Sequence, residues 1–371
     1  MIDGVKIVTK LHDASHLINN QLLDFKSLVN TDTGEISCNK YGTYTRISNY
    51  KNLKFTLKEN SHGQYILIIE GSLHKYFNNG VHNYNDFTFE NLYSILSDLE
   101  RKFGLNLSNC TLHNLEFGLN ISPPIASKKI LKGLLSHRNC PFKNISMDHA
   151  EFYQVQHNHY FIKVYDKAKQ YRRRFDLEKD ILRYELKYVK MEYIIRLLKG
   201  KNLVHGDSLT LNDLRNLEVL NVLGDHLLKI WNEILIYDYT IERKKLGKHL
   251  KKKIVQWQNI HFWEDLPKQQ KLKQKNKLYE VIKCYSQNVQ CEFSRLLKGK
   301  LEFILAKRLP IDQESNFEKG YSLPKYKNLM RSPIASINIA SIGNHKQKLK
   351  RLEKVEVSIP DYEDWIKGPM P

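Results

Sequence analysis

The stretch Leu112-His113-Asn114-Leu115-Glu116-Phe117-Gly118-Leu119-Asn120-Ile121 decides how this chain folds. Leu115, Phe117, Leu119 and Ile121 fall on one side of it, and Asn114, Glu116, Gly118 and Asn120 on the other. Successive side chains of an extended chain point to opposite faces, so a period of two marks a half-buried strand. Two later stretches repeat the pattern. In Ile181–Tyr188, Leu182, Tyr184, Leu186 and Tyr188 oppose Arg183, Glu185 and Lys187. In His159–Lys167, Tyr160, Ile162 and Val164 oppose Lys163, Tyr165 and Lys167. If the three strands share one sheet, its apolar face packs on helices. Its other face displays two carboxylates, a tyrosine and several cations.

Working outward, strand-like alternation recurs at Phe55–Leu57, Tyr65–Glu70 and Glu151–Gln156. Helical spacing is visible at Phe89, Leu92, Tyr93, Leu96, Leu99 and Phe103, and at Ile130, Leu131, Leu134 and Leu135. It returns through Leu217–Ile236 after the start signal Thr210-x-x-Asp213. Strands and helices do not alternate as regular βαβ units, and neither a GxGxxG nor a P-loop occurs. The expected class is α+β: a mainly antiparallel sheet with helices packed on one face, followed by a basic helical C-terminal segment.

The composition bounds the function. With 371 residues, 41% of them apolar, the chain can bury a core, and wholesale disorder is excluded. No apolar run is long enough to span a bilayer, and the opening Met1-Ile2-Asp3-Gly4-Val5-Lys6-Ile7-Val8 reads as a first strand and not as a secretory signal. Cys38, Cys110, Cys140, Cys284 and Cys291 form no CxxC pair, so they read as reduced, mostly buried thiols of a cytoplasmic protein. The 59 Lys and Arg against 40 Asp and Glu leave a net charge of +19, which suits a polyanionic partner. Most of that excess lies between Arg243 and Arg308, where eighteen basic residues stand against five acids. Runs such as Arg243-Lys244-Lys245 and Lys251-Lys252-Lys253 are interleaved with Trp257, Phe262, Trp263, Tyr279, Tyr285 and Phe293, a composition suited to nucleic-acid backbones. The plain alternative is a solvated helical face. From about Glu314 the chain loses periodicity and reads as an extended tail. The division expected is 1–240, a catalytic region; 241–310, the basic helical segment, with Lys244, Lys245, Lys251, Lys252 and Lys253 as DNA contacts; and 311–371, the tail.

The polar face of the three strands has a chemical reading. A tyrosine hydroxyl with its pKa near 10 needs help to become a nucleophile on a phosphodiester. Lys163 and Lys167 beside Tyr165 would favour the phenolate and neutralise the phosphate. Two carboxylates would hold Mg²⁺ or Mn²⁺. The competing reading is an ordinary amphipathic sheet with its polar face in water.

The order Leu115-Glu116-Phe117-Gly118, Phe161-Ile162-Lys163-Val164-Tyr165-Asp166-Lys167 and Leu182-Arg183-Tyr184-Glu185-Leu186-Lys187 resembles the gene II/X replication initiators of filamentous phages, which are related in motif to the Rep proteins of rolling-circle plasmids. Ile69-Glu70-Gly71-Ser72, Gly80-Val81-His82-Asn83-Tyr84-Asn85-Asp86-Phe87 and the Met1-Ile2-Asp3 opening add to the likeness, which covers about a third of the chain. The resemblance implies a metal-dependent endonuclease that nicks one strand at a replication origin, stays linked to the 5′ phosphate through a tyrosine, and leaves a 3′ hydroxyl to prime synthesis. It maps the nucleophile onto Tyr165 with Lys167 beside it, and the acidic positions onto Glu116, where Asp is usual, and Glu185. Glu70 is a third candidate ligand. The resemblance implies origin DNA, single-stranded or supercoiled, as the partner and raises a host helicase as another; no membrane is implied. Arg183 and the run Arg172-Arg173-Arg174 are candidate DNA contacts, Tyr171 is the best second nucleophile, and His82 could orient DNA or a metal-bound water. His157-Asn158-His159 could be read as a His-x-His metal motif, but a tight hairpin is the simpler reading. A relaxase-like transfer nuclease and a non-catalytic DNA-binding regulator on the same scaffold remain alternatives.

Overall fold

The computed structural model describes residues 1–306, apart from 28, 30–32, 39–42, 61, 148 and 149. The expected tail lies outside the described residues. Ten strands make the main sheet: β1 (Ile2–Leu11), β2 (Lys26–Ser27), β3 (Tyr44–Tyr50), β4 (Leu53–Glu59), β5 (Tyr65–Ser72), β6 (Thr111–Ile121), β9 (Lys143–Met147), β10 (Ala150–Gln156), β11 (Tyr160–Asp166) and β12 (Leu182–Tyr188). A small second sheet holds β7 (Leu134–His137), β8 (Cys140–Pro141) and β13 (Ile234–Ile236). The helices are α1 (Ser15–Ile18), α2 (Leu73–Phe77), α3 (Phe89–Phe103), α4 (Ser127–Gly133), α5 (Lys167–Phe175), α6 (Glu192–Lys199), α7 (Leu217–Glu233), α8 (Lys248–Trp257), α9 (Ile260–Glu264), α10 (Lys268–Tyr285) and α11 (Val289–Leu305). The main sheet runs β2-β3-β4-β5-β1-β6-β12-β11-β10-β9, with every pairing antiparallel. The fold is α+β with a helical C-terminal region, as the alternation implied.

The three diagnostic strands are direct neighbours, β6 pairing β12 and β12 pairing β11. Their apolar sets, Leu115, Phe117 and Leu119 with Leu182, Tyr184, Leu186, Tyr188, Ile162 and Val164, are all buried in one core. Helices α7 and α11 cover it. Trp231 of α7 packs edge-on to Tyr184, with ring centroids 5.1 Å apart, and lies 4.3 Å from Phe293 of α11. The Tyr184 hydroxyl donates to the Leu227 carbonyl, so the one polar atom on that ring is satisfied inside the core. Helix α3 begins with a reciprocal cap, Thr88 with Asn91, and ends at Gly104 with φ of 61°, a left-handed stop that suits glycine.

Four expectations change. Leu217–Ile236 is not one helix: α7 stops at Glu233, and Ile234–Ile236 pairs with β7 instead. Gly133 permits this, because a Cβ there would stand 2.4 Å from the Tyr237 carbonyl oxygen. The helix expected through Leu135 likewise ends at Gly133, and Leu134–His137 is strand. The tyrosine strand ends at Asp166, whose side chain accepts from the Lys169 amide and starts α5, so Lys167 opens a helix and the arginine run lies on it. The turn reading of His157-Asn158-His159 holds, since the segment joins β10 and β11 and the His157 amide donates to the Tyr160 carbonyl. All five cysteines are free, but Cys110 alone is buried; Cys38, Cys284 and Cys291 are exposed, contrary to the mostly buried set expected.

A second, smaller core gathers Trp257, Trp263, Leu278, Val281 and Ile282 of α8–α10 with Leu135, Leu235 and Tyr237. Helix α11 packs on α7 and belongs to the first core. No helix among the described residues is long and apolar enough to cross a membrane.

Candidate active site

Register places the polar residues. Lys163 of β11 stands opposite Glu185 of β12, which stands opposite Gly118 of β6; Tyr165 stands opposite Arg183, which stands opposite Asn120. Two glycines make room. A Cβ at 118 would lie 2.3 Å from the Glu185 Cβ, and one at Gly4 would lie 2.6 Å from the Glu116 Oε2. The Glu185 and Glu116 side chains therefore lie over backbone that has no side chain to meet them.

Asp3 completes the acidic group. One carboxylate oxygen each from Asp3, Glu116 and Glu185 lie within 4.8 Å of one another, a set found among the described residues. Regular alternation would put Asp3 on the apolar face with Val5 and Ile7. The register between β1 and β6 shifts between Ile2 and Val5, and such irregularities re-aim side chains. Ser72 donates to Asp3 Oδ1, and the Asn83 amide donates to Oδ2 at 2.6 Å.

The face is not solvated. Arg183 is fully buried, with guanidinium nitrogens 2.9 Å from Asp3 Oδ2 and 2.5 Å from Glu185 Oε2, and it donates to Asn120 Oδ1 at 3.0 Å. This corrects its reading as a DNA contact: its charge is consumed by the acids. Lys163 lies 3.0 Å from Glu116 Oε1 and 3.6 Å from Glu185 Oε1, and Lys187 lies 3.3 Å from Glu116. Burial alone would raise the pKa of Asp3, but Arg183 and Lys167 outweigh it and hold the carboxyl well below its ordinary range. Lys163 and Lys187 do the same for Glu116. Both groups stay ionised at neutral pH. Three hard carboxylate oxygens, those of Glu116 and Glu185 over glycine, suit a hard divalent cation.

Tyr165 is 5% exposed, its ring 4.4 Å from Phe152. The buried Lys167 Nζ stands 3.4 Å from the Tyr165 hydroxyl, and burial lowers its pKa to about 7. Neighbouring lysines do not lower the tyrosine as expected. Burial, and then the Glu185 charge, push the Tyr165 pKa well above 10, because Lys163 is engaged with the carboxylates and Lys167 is itself desolvated. Tyr171, one turn along α5 from Lys167, is buried and donates to Asn83 Oδ1 at 2.8 Å, which links it through Asn83 to Asp3. Lys167 Nζ lies 5.2 Å from the ring centroids of both tyrosines.

Other residues fall outside this group. Glu70, expected as a third ligand, is half-exposed and paired with Lys6 at 3.0 Å; Asp3 takes the third position. His82 stacks on Tyr84 at 4.1 Å, and burial lowers its pKa. Arg172, Arg173 and Arg174 are exposed on α5, Arg172 reaching Asp180 at 3.1 Å. Lys244, Lys245, Lys251 and Lys252 are exposed at the second core, and Lys253 donates to Gln274.

No family model and no characterised protein sequence matches this chain. Among solved structures, a rolling-circle replication initiator protein from Geobacillus stearothermophilus overlaps at 11% identity and a TM-score of 0.37, covering 83% of this chain and 98% of its own. The di-domain ARO/CYC protein BexL of the BE-7585A biosynthetic pathway overlaps at 8% identity and a TM-score of 0.20, covering 61% and 95%. At such low scores neither overlap carries an argument about function. What the chain can do is read from its buried face, where Tyr165 and Lys167 meet the carboxylates of Asp3, Glu116 and Glu185.

Proposed function

We propose that this chain initiates rolling-circle DNA replication by nicking one strand through Tyr165. The observation that carries the reading is the convergence of Tyr165 and Lys167 with Asp3, Glu116 and Glu185 on one buried sheet face. The Tyr165 oxygen attacks phosphorus in line; the new O–P bond forms as the bond to the 3′ oxygen breaks, and that oxygen leaves as a hydroxyl by taking a proton from water. The phenolic proton passes to Lys167, the base nearest the hydroxyl, which burial keeps poised near neutrality. Arg183 holds Asp3 and Glu185 in place from inside the sheet. A divalent cation held by Asp3, Glu116 and Glu185 would supply Lewis-acid polarisation of the phosphate and cancel charge that now keeps Tyr165 protonated.

DNA contacts are assigned to Arg172, Arg173 and Arg174 beside the site and to Lys244, Lys245, Lys251, Lys252 and Lys253. The corresponding division is a catalytic region over 1–240, a basic DNA-binding segment over 241–310 and a tail over 311–371, in a cytoplasmic protein. The test is cleavage of supercoiled and single-stranded DNA carrying the gene's own flanking sequence, with Mg²⁺, Mn²⁺ or EDTA, read on denaturing gels with and without protease. A metal-dependent, protease-sensitive adduct is expected. Salt-sensitive binding with no adduct under any metal would turn the reading into that of a non-catalytic DNA-binding regulator.

A further inference from the structure

Helix α10 is packed along only part of its length. Its buried apolar residues, Leu278, Val281 and Ile282, all lie in the second half, against Trp257 and Trp263. The first ten residues, Lys268–Lys277, contain five lysines, three glutamines, one asparagine and no acid. At 100° per residue, Gln269, Gln270, Leu272, Lys273, Asn276 and Lys277 share one side, and all six are exposed. The opposite side is fixed: Gln274 accepts from the Trp257 indole at 3.1 Å and from Lys253 at 3.4 Å, and Lys271 reaches Asn139 at 3.3 Å.

A merely solvated helix face gains from Glu and Lys spaced four apart, whereas Lys273 and Lys277 at that spacing repel each other. Leu272, in the middle of this polar face, is 61% exposed and is the apolar residue among these six. Amides that pair with adenine, lysines that donate to guanine and an apolar side chain for a thymine methyl are the groups that read base edges. A helix with its side chains is about 10–12 Å across, which the roughly 12 Å wide major groove admits. Lys251 and Lys252 on α8 and Lys244 just before it are exposed for phosphates, while Lys245 pairs with Glu242 at 2.8 Å.

Resting on the DNA-nicking reading above, we infer that the exposed face of α10 enters the major groove of duplex DNA and determines which sequence the protein selects, with Gln269, Gln270 and Asn276 reading bases and the α8 lysines holding phosphates. This assigns recognition to a surface separate from the residues that cut.

The experiment is selection from a pool of random-sequence duplexes by the full chain, in wild type and in the triple variant Gln269→Ala, Gln270→Ala, Asn276→Ala. Affinity for the selected and the unselected pool is then measured over a range of salt. The expected result is a wild-type consensus whose preference over the unselected pool falls about tenfold or more in the variant, with the salt slope unchanged. Because the substitutions lie on an exposed face, circular dichroism should be unaltered, and Leu272→Ser provides a second variant that should shift the consensus at thymine positions. A variant that selects the same consensus with the same preference overturns the inference and leaves DNA binding intact. So does a wild type that binds the pool but enriches nothing. A wild type that does not bind DNA at low salt defeats the underlying reading instead.

Discussion

The polar face of the sheet and the face of the α8–α10 unit are built from the same basic residue types, used in opposite ways. In the sheet, Arg183, Lys163 and Lys187 point at Asp3, Glu116 and Glu185 and are wholly or mostly buried. On α8 and α10 the lysines stand at the surface with almost no acid among them. Buried charges must be matched because desolvation is costly, whereas surface charges cost little and attract a polyanion from a distance. A net charge of +19 therefore overstates what the sheet can offer DNA and understates what the helical unit can.

The difference is sharpest for stability. Arg183→Met should destabilise the fold by about 3–5 kcal/mol, because it strands two carboxylates without their buried partner. Urea denaturation measures this, and a loss no larger than a surface mutation's would break the contrast. Lys167 sharpens it through pH. Its folded pKa of about 7 lies below the ordinary lysine value of 10.5, so between those values the unfolded chain binds more protons and stability rises with pH. Relative to Lys167→Met, wild type should gain about 3 kcal/mol between pH 7 and 9.5. A flat difference would mean that Lys167 is solvated. The smallest stability effect belongs to the helical unit. Lys251→Ala and Lys252→Ala should each change stability by less than about 0.5 kcal/mol while lowering the salt slope of DNA binding by about one.

The sheet was legible in the sequence because alternation in β6, β11 and β12 reports directly which side is buried. Glu116, Glu185, Tyr165 and Lys163 all fell on the face where the structure has them. Asp3 was hidden for a local reason: strict alternation assigns it to the core, and only the register shift before Val5 turns it to the acids. The available signal was the lone acid in the opening Met1–Val8, where Lys6 is the one other charge. Arg183 was misread because alternation gives a side and not its covering; Asn83 and α5 close over this one. Helix α5 shows only a thin apolar stripe, Ala168, Tyr171 and Phe175, among six basic or amide residues, and the Asp166 cap is its start signal. Ile234–Ile236 continues an apolar helical pattern, so its pairing with β7 depends on a glycine a hundred residues earlier in the chain.

The central claim is that Tyr165 is the group that becomes joined to DNA. Its most direct test is to trap the adduct on cleaved DNA, digest the protein and identify by mass spectrometry which tyrosine carries the nucleotide, with Tyr165→Phe as the partner experiment. The account predicts a nucleotide on the peptide containing Tyr165, and at least about a thousandfold loss of adduct in Tyr165→Phe with DNA binding retained. An undiminished adduct in Tyr165→Phe, carried by Tyr171 or any other residue, would contradict it.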